Sequence, residues 1–212
     1  MTARVLLILM LMAVSTAWAQ DDQNKPRTWD EMQKSTDNRL QPAEGPVKFA
    51  SEEGAFTVIF PSGCAKVATR MQDDPLTGGG PMGSRFSTVF VFCDRNEEKG
   101  EGASVTSLFF NRDIENNMAT PDDVIEQLKY MLDQYGAKVV SQAPVRRQLD
   151  EDHFIEGLEL KAQSPDGKSQ VWLRGLLDNG DIFILSAWKV QGGLWDDPDY
   201  ATFFNSFLPG TD

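Results

Sequence analysis

His153 is the chain's single histidine, and it follows Asp150, Glu151 and Asp152. A carboxylate beside an imidazole can orient it as a general base or a metal ligand. Neighbours along a strand point to opposite faces, however, so adjacency in sequence does not make a catalytic pair. The bland alternative is a polar residue at a strand edge. No second histidine exists for a zinc site of the H-E-x-x-H kind, and no G-x-S-x-G supplies a serine for a triad. The acidic run Asp196-Asp197-Pro198-Asp199 offers oxygen ligands for calcium, but not at EF-hand spacing, and helix capping explains Asp197 and Asp199 as well. Gly78-Gly79-Gly80-Pro81-Met82-Gly83 lacks the G-K-[ST] ending of a phosphate loop and reads as a hairpin tip, where Gly79 and Gly80 can touch a partner. No cofactor is expected.

Aromatic residues supply the other candidates. Trp172, Trp188 and Trp195 are weighed as a platform for a sugar or a protein partner. On a strand Trp172 shares a face with Arg174, which suggests a partly open surface. The alternative places these tryptophans beneath helices. Arg146-Arg147 is the one Arg pair and reads as a solvated strand end.

Cys64 and Cys93 form an even pair, which favours a disulfide in an oxidising compartment. A hairpin centred in the glycine run sets Cys64 directly opposite Cys93, where antiparallel Cα atoms lie about 4.5–5.5 Å apart, within a disulfide's reach. Without C-x-x-C spacing a redox role is not expected.

These residues need a scaffold, and the stretch 154–190 supplies its centre. It reads as three strands broken by Ser164-Pro165-Asp166-Gly167 and Asp178-Asn179-Gly180-Asp181, both rich in turn-forming residues. The last strand, Asp181 to Val190, is apolar at odd and even positions, so both its faces need a cover. Earlier strands are expected at 56–60, 64–70, 86–93, 104–111 and 138–149. One helix follows Thr120 as cap and Pro121, with Val124, Ile125, Leu128, Leu132 and Tyr135 on one face and Gly136 at its end. A second follows Asp197 and Pro198, with Tyr200, Phe203, Phe204 and Phe207 on one face. The fold class expected is α+β, a largely antiparallel sheet with helices on both faces.

The chain has 212 residues, with 20 Lys+Arg against 32 Asp+Glu and a net charge of −12. That balance argues against nucleic acid as a partner, since polyanion binding needs a basic face. Residues 1–19 read as a signal peptide: Arg4, the apolar run Val5–Val14 and the A-x-A site Ala17-Trp18-Ala19. The run is too short to span a bilayer, and no later stretch reads as transmembrane. The mature chain is expected in the periplasm or secreted. Residues 20–48 read as a flexible leader, in which Thr28–Leu40 can form a short docking helix. A single domain is expected over 49–208, with 209–212 as a tail.

Three motifs carry a resemblance. Phe56-Thr-Val-Ile-Phe60-Pro61 resembles the opening strand of exported PsbP-like domains. Asp181-Ile-Phe-Ile-Leu-Ser186 resembles their central late strand, and Phe203-Phe204-Asn205-Ser206-Phe207 their closing helix. The wider group holds photosystem II PsbP, DcrB-like periplasmic proteins and Ran-binding Mog-type proteins. The resemblance implies one antiparallel sheet between helices and favours a non-catalytic role; the first expectation is an interaction or accessory protein whose leader or glycine loop engages another envelope protein. The competing expectation is a periplasmic module that binds a small molecule or glycan.

Overall fold

The computed structural model describes residues 45–64, 66–73, 86–96 and 100–210. The expected signal peptide, nearly all of the expected leader, and Gly79 and Gly80 lie outside the described residues. The fold is mixed α+β, with antiparallel sheets and, among the described residues, two helices. None of its helices there is long and apolar enough to cross a membrane.

Among the described residues ten strands occur in chain order: β1 Val47–Ser51, β2 Phe56–Phe60, β3 Lys66–Asp73, β4 Phe86–Asn96, β5 Glu101–Phe110, β6 Lys138–Gln148, β7 Phe154–Gln163, β8 Gln170–Asp178, β9 Asp181–Lys189 and β10 Leu208–Pro209. Helix α1 is Pro121–Tyr135 and α2 is Pro198–Ser206. Seven strands form one sheet in the order β3-β4-β5-β9-β8-β7-β6, every neighbour antiparallel. A separate small sheet runs β1-β2-β10. That separation differs from the single sheet expected. Strand β2 alternates buried Phe56, Val58 and Phe60 with half-buried residues. Its phenyl rings pack on α2 and on Phe207 just beyond it, with Phe60 5.4 Å from Phe203 and Phe56 5.7 Å from Phe207. Strand β1 also crosses the expected boundary at residue 48, and β10 crosses the one at 208.

Both helices are capped as their sequences require. Thr120 and Asp123 close a reciprocal capping box, and Gly136 takes the left-handed conformation with φ 56°. Asp197 accepts from the Asp199 amide at 3.1 Å. The two turns of the central meander also hold, and Asn179 and Gly180 supply the positive φ values of 50° and 79° that a two-residue hairpin needs.

The two-sided character of β9 divides the core. Ile182 and Ile184 pack in one cluster with Val124, Leu128 and Leu132 of α1. Phe183, Leu185 and Ala187 pack in another with Tyr200, Phe203 and Phe204 of α2, and with β2. Gly175 of β8 lets α1 approach: a Cβ there would stand 2.6 Å from Val124 Cγ1 and 3.1 Å from Leu128 Cδ1.

Candidate functional site

Trp172 is not the open platform that its face-sharing with Arg174 suggested. It is 7% exposed. Phe204 stacks on the indole at 4.4 Å, and Lys161 Nζ lies 4.5 Å from the ring centroid. The register of β7 and β8 sets Lys161 opposite Trp172 and Glu159 opposite Arg174, which places all four on the α2 side. The tryptophans do not gather either. Trp195 packs with Trp172's cluster, whereas Trp188 lies on the α1 side, opposite Gly102 of β5.

Arg174 is a clamp rather than a surface cation. Nε and Nη2 both donate to Glu159 Oε2, at 2.9 and 2.5 Å, and Nη1 donates to the Phe204 carbonyl at 2.6 Å. That carbonyl belongs to the last turn of α2, where the helix's own amides run out. A guanidinium there satisfies the orphan acceptor and complements the helix dipole.

The acidic residues weighed for calcium are held by cations. Asp197 Oδ2 meets Arg95 at 2.7 Å and Lys189 at 3.7 Å. Asp199 Oδ2 meets Arg95 at 3.4 Å and accepts from the Ser62 amide at 3.1 Å. The network ties the start of α2 to β4, β9 and the segment after β2. Arg95 also lies over the Tyr200 ring, 5.4 Å from its centroid. The buried Tyr200 hydroxyl has no well-formed hydrogen bond among the described residues. Burial pushes its pKa up to about 12, and the nearby Arg95 guanidinium, first as a hydrogen-bond donor and then through its charge, offsets part of the rise. Among the described residues no group of three or more His, Cys, Asp or Glu is placed to hold a metal ion.

His153 pairs with a residue the sequence did not suggest. Its Nε2 lies 2.5 Å from Asp178 Oδ1, at the end of β8, and not against the preceding acidic run. Asp150 instead accepts from the His153 amide at 2.9 Å. Nearby, Arg112 reaches Asp181 at 3.0 Å, and the Ala119 amide donates to the Gly180 carbonyl at 2.9 Å. His153 thus belongs to a set of bonds that pin the β8–β9 turn.

With these residues committed to holding the fold, the exposed edge strand β6 is a further candidate among the described residues. It ends the seven-stranded sheet and runs for eleven residues. Every side chain along it is exposed except the half-buried Val145 and Arg147. Val139 and Val140, at 48% and 52% exposed, are among the most open large apolar residues. The end of the strand fixes its backbone orientation. The Leu149 amide donates inward to the His153 carbonyl at 2.9 Å. Backbone groups alternate sides along a strand, so Gln148, Arg146, Pro144 and Gln142 turn theirs outward. Pro144, which has no N–H, occupies the outward set, where a strand tolerates it. The outward edge therefore offers the amides of Gln142, Arg146 and Gln148 and the carbonyls of all four. The signal was present in the sequence: Lys138–Gln148 has a central proline and no apolar alternation.

No protein-family model matches this chain, and no curated protein does. Among solved structures it is similar to cyanobacterial PsbP (CyanoP) from Synechocystis sp. PCC 6803, determined in solution. The TM-score is 0.46 and the identity 17%, over 79% of this chain and 94% of that one.

Proposed function

We propose that this chain is an exported accessory protein of the bacterial envelope that acts by binding another protein, without catalysing a reaction, and that β6 is its binding edge. The observation that carries the reading is the outward row of backbone groups from Gln142 to Gln148, unpaired among the described residues, with exposed side chains on the Gln142, Pro144, Arg146 and Gln148 face and half-buried Val145 and Arg147 on the other. An edge of that kind is a template for an incoming strand. Export is supported by the A-x-A segment at Ala17–Ala19 and by the Cys64–Cys93 bridge, since such bonds persist in oxidising compartments. The finer architecture in this proposal is a PsbP-like α/β/α sandwich. The division of β9's side chains between the α1 and α2 clusters supports it.

Site-specific photocrosslinking in intact cells tests the binding edge. A photoreactive residue at Gln142 or Gln148 is compared with one at Lys129, which is exposed on α1. A discrete adduct from the β6 positions alone is expected. Equal capture from all three positions, or none from β6, contradicts the proposal.

A further inference from the structure

Resting on that reading of β6, we infer that its occupant is an extended, acidic strand of a protein partner, which places a carboxylate beside Arg146. Strand β6 carries Lys138, Arg146 and Arg147 and no Asp or Glu, in a chain whose acids outnumber its bases 32 to 20. Charge therefore reverses locally along the edge. The two arginines are not equivalent. Arg147 is engaged: its Nη1 donates to the Asn205 carbonyl at 2.9 Å and the Phe207 carbonyl at 2.7 Å. Among the described residues Arg146 is held by Glu156 at 3.1 Å, with side-chain exposures of 66% and 63%, and by the face of the half-exposed Phe154, 4.5 Å from the ring centroid. So exposed an ion pair is readily exchanged for another.

The outward amides around Arg146 define where an incoming residue sits. A residue placed directly across from Arg146 has its Cβ about 4.5–5.5 Å away, which is salt-bridge range for a carboxylate. On the opposite face the incoming chain runs beside Ala143 and the half-buried Val145, which favour small or apolar side chains. A second copy of this chain fits less well. Pairing β6 with itself gathers six cations and two prolines into one ladder with no carboxylate to balance them. Pro144 and the register shift between Val139 and Ser141 interrupt the edge in the manner that discourages open-ended self-association. The same features leave Gln142 to Gln148 available to a short heterologous strand.

The probe is a displayed library of random ten-residue peptides, screened against the oxidised protein, followed by affinity measurement on an enriched synthetic peptide. Arg146→Glu and Gln142→Pro are the variants, with circular dichroism and melting as fold controls. Gln142→Pro removes one outward amide and no inward bond. Enriched peptides are expected to be acidic, to bind more weakly as salt rises, and to lose roughly three- to tenfold in affinity with Arg146→Glu. Gln142→Pro is expected to weaken binding as well. Peptides that lack carboxylates, or that bind Arg146→Glu unchanged, overturn the acidic occupant, and sensitivity to Gln142→Pro then leaves the edge reading standing. No enriched peptide, or insensitivity to both variants, overturns both. If Gln142→Pro melts early, slowed amide exchange at Gln142 and Gln148 of the wild type on peptide addition takes its place, with unchanged exchange counting against the edge.

Discussion

Cys93 is bonded to Cys64 but lies in register with Val67. The bridge joins the end of the segment after β2 to Cys93, one position in from the Lys66–Asp94 end of the β3–β4 ladder, with Cα atoms 5.5 Å apart. The expected pairing of Cys64 directly across from Cys93 is therefore incorrect. Strand β3 starts only at Lys66, so Cys64 approaches Cys93 from outside the ladder. Both cysteines are fully buried in the cluster that contains Phe60 and Phe203.

The bridge closes a separation of 29 residues, and restricting the unfolded chain by that much stabilises by about 3–4 kcal/mol. Urea unfolding of the oxidised and the reduced, alkylated protein is expected to differ by that order. Equal midpoints, or two reactive thiols in the denatured unreduced protein, contradict the bridge.

Arg174 and Glu159 form a half-buried, doubly hydrogen-bonded pair that also holds the end of α2. Removing one partner leaves a desolvated charge. Arg174→Ala is expected to destabilise by about 3 kcal/mol, and adding Glu159→Gln to recover part of it. Urea unfolding of the single and double variants measures this. A loss below about 1 kcal/mol would falsify the clamp, since exposed ion pairs contribute about 0.2–1 kcal/mol.

Tyr200 gives a pH dependence with a definite sign. Its folded-state pKa is raised to about 12 from the ordinary value of 10.0. Between those values the unfolded state loses the phenolic proton first, so stability is complete below pH 10 and falls as pH rises toward 12. Tyr135, raised by burial, adds in the same direction. Tyr200→Phe is expected to flatten the alkaline loss. Because the buried hydroxyl has the Arg95 guanidinium beside it but no well-formed hydrogen bond among the described residues, the same variant is expected to change stability by less than about 1 kcal/mol at pH 7. Marked destabilisation at pH 7 would show that the hydroxyl is bonded after all.

Local features of the fold were legible in sequence because their causes are local. Thr120 and Gly136 bound α1, Asp197 starts α2, and Asn179-Gly180 makes a tight turn, each through its own backbone and near neighbours. The apolar run Ile182–Leu185 also announced a strand covered on both faces. What failed depends on register. Nothing near Trp172 in sequence says that Phe204 stacks on it, and His153 finds Asp178 only because β7 and β8 pair as they do. Solvation of the Arg146-Arg147 pair holds for Arg146 but not for Arg147, whose partners sit at and beyond the end of α2. The proline in Lys138–Gln148 marked an edge strand, but which sheet it ends follows from the topology.

Residue-resolved amide hydrogen exchange of the free protein tests the open edge most directly. The amides of Gln142, Arg146 and Gln148 point outward and are expected to exchange at near-unprotected rates. Those of Ala143, Val145 and Arg147 point toward β7 and are expected to be strongly protected. Alternation of fast and slow exchange along β6 is the predicted result. Protection at all six positions means that the edge is already covered, and contradicts it.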